Sequence, residues 1–276
     1  MRWLKQKLKK VYLVERLYRY CQHIIKRDIH SGVTCSHVCK DFVRFIKKRS
    51  NADCILCENK PFPILIYKNL LEYLSVHDDF ICMTVLDYVS NKIDKERINV
   101  VLRHDLDSGC SEVLKLLCNT EKKLNIRSSV HVLMDKSCYD ATAMKPLLLD
   151  LYRDGFDIGL HTVAWMYENY ADMFMRESAM FAEILGFSPK TLSIHGAWPR
   201  SDVDMERRKI FESQLRLDLL LKDTSFIGYN GHYDWASEDS RHMGKDVPLK
   251  NSFLTGFENC YRGDVCILLT HDNGWA

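Results

Sequence analysis

The first 27 residues contain no uninterrupted apolar core of the kind a signal peptide or a spanning helix needs, which argues against secretion and against a spanning anchor there. A disulfide framework is missing too. The 11 cysteines are scattered and odd in number, and without an export signal they read as reduced thiols in a cytosolic compartment. Low-complexity stretches, internal repeats and a flexible linker are also lacking. The 276 residues therefore hold one large domain, or one domain with a smaller N-terminal appendage and a soft boundary near residue 60. Basic charge is scarce after residue 50. Residues 1–50 carry 14 Lys and Arg against 3 Asp and Glu, so the overall net charge of +2 divides into +11 for this stretch and −9 for the remainder. Nothing beyond residue 50 extends a basic track for phosphates, which argues against a nucleic-acid partner.

What is present is an ordinary globular composition, 46% hydrophobic and 28% charged. The N-terminal segment has the spacing of an amphipathic helix, with Leu4, Leu8, Val11, Val14, Tyr18, Cys21 and Ile25 on one stripe and Lys5, Lys9, Arg16 and Arg27 elsewhere. Two readings stay open: a helix docked on the main domain with a solvated basic face, or a peripheral contact of residues 1–27 with an anionic membrane surface. Cys35 and Cys39, then Cys54 and Cys57, form two close pairs with His37 between the first two. The count suits structural zinc, but the Cys54–Cys57 turn lacks the Gly and basic residues that shape a zinc knuckle, and idle thiols are the simpler reading.

The chain is organised around Ile98 to Asp107, an apolar run that breaks abruptly into His104, Asp105 and Asp107. Such a run predicts a buried strand whose C-terminal end delivers reactive groups to a mouth, where α/β folds place their chemistry. Four later stretches have the same form: Phe156 to His161, Thr191 to His195, Leu219 to Asp223, and Val265 to His271. Between them the text is helical. A helix is predicted after Ser111 as N-cap, another around Met144 to Arg153 stopping at Gly155, and a third from Glu177 to Leu185 stopping at Gly186. With a strand over Arg127 to Met134, this alternation predicts a parallel sheet or barrel. Asp105 and Asp107 could alternatively serve only as helix caps, and single histidines such as His161 or His195 are often structural. Five agreeing strand ends favour a metal site.

The ordered segments Leu102 to Ser108, Asp157 to His161, Leu185-Gly186-Phe187 leading into Leu192 to Gly196, and Leu268 to His271 with Trp275 resemble the motifs of the polysaccharide deacetylase family. The resemblance is greatest to the intracellular bacterial branch, whose first motif carries His-Asp-x-Asp. It runs from about residue 63 to the end, and divides the chain into a basic helical extension, residues 1–60, and a deacetylase-like domain, residues 61–276.

That resemblance implies an α/β fold, a deformed (β/α) barrel of about seven parallel strands with the site at their C-terminal ends. It implies a divalent metal, usually zinc, and hydrolysis of an N-acetyl or related acyl or formyl group on an amino-sugar, glycan or lipid-linked sugar. By motif, Asp107 and His161 would bind the metal, Asp105 would be the general base and His271 the general acid. The family commonly has a second histidine four residues after the first, where this chain has Trp165. His195 is the candidate third ligand and His104 the reserve. His104, Trp198, Asp223 and Trp235 are candidates to contact substrate, the tryptophans as stacking walls together with Tyr229 and Tyr233. Asp272 stands where a proline often follows the final histidine. These departures keep a second function in view, a catalytically silent sugar-binding or assembly protein on the same barrel. Either way the expected location is cytoplasmic, with or without contact at the inner face of the membrane.

Overall fold

A computed structural model describes residues 64–196, 202–222, 224–229, 233–238, 257 and 260–272. The amphipathic N-terminal segment and the Cys35–Cys57 pairs lie outside these residues. No helix among the described residues is long and apolar enough to cross a membrane.

Eight parallel strands form one curled sheet. In chain order they are β1 (Phe80–Met83), β2 (Ile98–Leu106), β3 (Ser129–Leu133), β4 (Asp157–Thr162), β5 (Thr191–Ile194), β6 (Gly228–Tyr229), β7 (Trp235–Glu238) and β8 (Val265–His271). The spatial order is β6-β5-β4-β3-β2-β8-β7, with β1 also paired to β2. β1 takes the first half of β2 (Phe80 opposite Ile98) and β3 the second half (Arg103 opposite Ser129), while β8 runs along most of the other edge. The sheet and its helices form a curled, deformed (β/α) half-barrel, with β2 at its centre, flanked by three strands and buried at all nine positions.

Six α-helices are described: α1 (Ile64–Val76), α2 (Val85–Val89), α3 (Ser111–Lys123), α4 (Ala141–Arg153), α5 (Tyr170–Leu185) and α6 (Asp202–Arg216). Each follows from local chemistry. Asp140 caps α4 by accepting from the Thr142 N–H at 2.9 Å, and α5 buries Phe174, Glu177, Phe181 and Leu185 at helical spacing before stopping at Gly186, whose φ of +84° is left-handed. α3 starts one residue away from its predicted cap: Cys110 holds the N-cap position and makes no side-chain cap. The described part of the expected strand Leu219 to Asp223, residues 219–222, is not a strand. Through Lys222 it continues from α6 as turns, with Leu219 N–H on Gln214 O and Lys222 N–H on Asp218 O, and Leu219 is solvent-exposed.

The period of two along the strands separates two environments. Ile98, Val100 and Leu102 of β2 pack with Ile66, Tyr67, Leu70 and Leu71 of α1, and Val130, Val132, Ile158, Leu160 and Leu192 join the apolar layer under α4 and α5. The alternate positions supply Arg103, Asp105, His131, Asp157, His161, Thr191 and Ser193, all buried. Most of the oil is thus between sheet and helices, while the other side of the sheet carries these polar groups together with a smaller apolar cluster of Met83, Val85, Val101, Val265 and Ile267.

Candidate metal centre

Asp107 follows the last residue of β2, His161 is the penultimate residue of β4, and His195 follows β5, so three strand ends of one sheet meet, with β3 between the first two. The His195 N–H donates to Thr162 O at 2.9 Å, which fixes the start of its loop against β4. His161 Nε2 lies 3.1 Å from His195 Nδ1 and 3.4 Å from Asp107 Oδ1, and His195 Nδ1 lies 3.3 Å from the same oxygen. Asp107 Oδ1 is buried and has no hydrogen-bond partner. A buried carboxylate oxygen that faces two imidazole nitrogens and forms no hydrogen bond is costly unless a cation joins them. The spacing suits one: ligands about 2.0–2.1 Å from a tetrahedral zinc are roughly 3.3–3.4 Å apart.

Proton bookkeeping around Ser193 agrees. Its hydroxyl has one proton and donates it to Asp105 Oδ1 at 3.3 Å. It must therefore accept from His131 Nδ1 and His161 Nδ1, each at 2.7 Å. With its proton on Nδ1, His161 turns the lone pair of Nε2 toward Asp107 and His195. Burial holds His131 far below its usual pKa, keeping it neutral, and Thr191 contacts its Nε2 at 3.3 Å. Gly159 leaves room for this ring, since a Cβ there would sit 2.6 Å from it and 2.4 Å from Thr191 Oγ1.

Asp105 stands beside this triangle. Burial alone would raise its pKa, but the Arg103 guanidinium, 2.8 Å from Oδ2, is the foremost of several groups that bring it down to about 2. It is a carboxylate at neutral pH. Asp107 is likewise pushed up by burial and held well below the carboxylate range by His161 and His195. His271 Nε2 faces the other oxygen of Asp107 at 4.0 Å. Asp105 and His271 are opposite each other across the β2–β8 ladder, so both reach the same mouth.

Trp165 sits on a short 3-10 turn, Ala164–Met166, and is buried with its Nε1–H donating to His195 O at 3.2 Å. Where the family pattern has a histidine, this chain has a brace for the histidine of the next strand. Glu177 of α5 holds the same corner, accepting from the Thr162 hydroxyl and, at 3.2 Å, from the Val163 N–H.

One expected contact is corrected. His104 is neither a reserve ligand nor a substrate contact, because the strand alternation turns it to the outer face. There it is 1% exposed, with Nδ1 2.5 Å from Thr270 Oγ1 and Nε2 2.7 Å from Glu121 Oε1. Trp198 and Asp223 lie outside the described residues. Trp235 opens β7, next to β8, and its side chain lies outside them too. Sequence reasoning missed Arg103, Ser193 and Glu177. The first two stand two residues before a candidate site residue, Asp105 and His195, a signal that period-two counting would have found.

No family model matches the chain, and neither does any curated protein. Among solved structures it is similar to the catalytic domain of a peptidoglycan N-acetylglucosamine deacetylase from Eubacterium rectale, at 14% identity and a TM-score of 0.44, over 63% of this chain and 76% of that one. It is similar also to a polysaccharide deacetylase from Bacillus cereus, at 16% identity and a TM-score of 0.37, over 64% and 80%. A family 4 carbohydrate esterase from Streptomyces lividans matches at 13% identity and a TM-score of 0.37, over 63% and 79%.

Proposed function

We propose that this chain is a metal-dependent hydrolase that removes an N-acetyl or related acyl group from an amino-sugar unit of a glycan or glycan precursor. The observation that carries the reading is the buried, unbonded Asp107 Oδ1 facing His161 Nε2 and His195 Nδ1, flanked by a carboxylate and an imidazole that the triangle does not use. The order of the sequence motifs points the same way, with Asp105, Asp107, His161, His195 and His271 all at or just past strand C-termini.

Asp107, His161 and His195 would hold the cation, with zinc the metal their nitrogen and oxygen donors suit best. Bound there, a divalent ion supplies Lewis acidity for the scissile carbonyl and lowers the pKa of an attacking water. Asp105, ionised and oriented by Arg103 and Ser193, takes the proton from that water as its oxygen bonds to the acyl carbon. His271 reaches the mouth from the opposite strand and gives a proton to the nitrogen as the C–N bond breaks, releasing the carboxylic acid and the free amine. Arg103 keeps Asp105 charged inside a buried strand, which an unpaired carboxylate would resist. A lipid-linked substrate would suit a membrane contact through residues 1–27.

The test is release of acetate or formate from a panel of N-acylated amino-sugars by zinc-loaded protein. Hydrolysis by the wild type, lost in Asp105→Asn with zinc retained, supports the proposal. Stoichiometric zinc with no turnover of any acylated sugar would favour the silent sugar-binding reading.

A further inference from the structure

The sheet does not itself fix Asp107. The β2–β8 ladder ends at the pair Asp105 and His271, and Asp107 lies beyond it. What takes over is Asp272, the residue after β8, which is 1% exposed. Its N–H reaches Asp105 O at 3.4 Å, and its carboxylate turns back over the end of β2. Oδ1 accepts from the N–H groups of Asp107 and Ser108 at 2.9 and 3.0 Å, and Oδ2 accepts from Cys110 N–H at 2.6 Å. Converging backbone N–H groups of this kind form a concave anion nest, here filled by a carboxylate of the same chain. Gly109 shapes the nest with a φ of +68°, and the Tyr139 ring closes its other side, 2.6 Å from where a Gly109 Cβ would be.

We infer that Asp272 is a positioning residue for the metal centre: by clamping the 107–110 turn to the end of β8, it sets the place of Asp107 relative to His161, His195 and His271. The inference rests on the metal centre proposed above.

Zinc affinity, measured by competition with a chelating dye, and the visible spectrum of the cobalt-substituted protein test this beside thermal unfolding. Asp272→Ala is expected to weaken zinc binding about 10- to 100-fold, the usual cost of losing an outer partner of a ligand. Asp272→Asn should fall between it and the wild type, since its single oxygen can still serve Asp107 and Ser108 but its amide opposes Cys110 N–H. Gly109→Ala leaves the carboxylate charge in place and disturbs only the turn; it should weaken zinc binding and alter the cobalt bands as well. Tyr67→Phe is the control for mere stability, lowering the unfolding temperature with zinc affinity unchanged. Should Asp272→Ala fail to fold, the Asn and Gly109 variants carry the test. Wild-type zinc affinity and cobalt spectra in both would overturn the inference while leaving the metal centre standing, and a wild type that takes up no zinc would overturn both.

Discussion

Two histidine–carboxylate clusters lie on opposite faces of β2, and only one of them leaves a buried carboxylate oxygen without a hydrogen bond. In the outer cluster, Glu121 Oε1 accepts from Tyr67 and faces His104, Oε2 accepts from Ser128, and the other nitrogen of His104 meets Thr270. Glu121 and Ser128 are fully buried and His104 nearly so, and each heteroatom has a complementary partner. At the mouth, Asp107 Oδ1 has none, and Asp107 and His195 keep partial access to solvent. Both groups bring three metal-capable side chains within one ion's reach, Cys118 being the third at the outer site. Residue type and proximity therefore do not separate the two clusters; the unfilled carboxylate oxygen at the mouth does, and it marks that cluster as the candidate metal centre.

The largest expected effect sharpens that contrast at the mouth. Asp105→Asn should lower acyl-sugar hydrolysis by about 10²- to 10⁴-fold, the range for losing a general base, with zinc content unchanged by elemental analysis. Coincident loss of zinc would place Asp105 among the ligands instead.

On the outer face the effect should fall on stability alone. Glu121→Ala leaves Tyr67, His104 and Ser128 without their common acceptor and should cost about 3–5 kcal/mol in denaturant unfolding, with zinc per folded molecule unchanged. Zinc loss in this variant, with the fold intact, would break the division between the clusters.

A third carboxylate combines features of both. Glu177 is sealed like Glu121, yet burial pushes its pKa up to about 7 despite the donors Thr162 and Val163. The folded state then favours the protonated acid. Its contribution is full below the unfolded value of about 4.5 and is lost as the pH rises through about 7, on the order of 3 kcal/mol in all. Wild-type protein should lose stability over that interval relative to Glu177→Gln; parallel pH profiles for the two would refute the assignment. The smallest effect is that of Tyr67→Phe, which removes one donor to Glu121 and should cost roughly 1 kcal/mol in the same unfolding measurement.

Much of this was legible in the residues. β2, β4, β5 and β8 could be read because each is an apolar run ending in a ligand type, and the second half of α5 because its pattern runs from Glu177 to Leu185 and stops at Gly186; its start at Tyr170, seven residues earlier, was not read. The Leu219 segment misled because three successive leucines mimic a buried strand, whereas only contacts from α6 show that it is a turn with Leu219 in solvent. His104 was misplaced for a reason within reach: if Asp105 and Asp107 face the mouth, period two sends residue 104 to the other side. Asp272 could not have been placed from sequence. Its role depends on backbone N–H groups more than 160 residues earlier in the chain, which no local pattern announces.

The most direct measurement is the zinc content of protein purified without chelator, compared among the wild type, His195→Ala and Glu121→Gln. The account predicts about one zinc per chain in the wild type and in Glu121→Gln, and little in His195→Ala. Zinc retained in His195→Ala but lost in Glu121→Gln would contradict it, placing the metal on the outer face of β2.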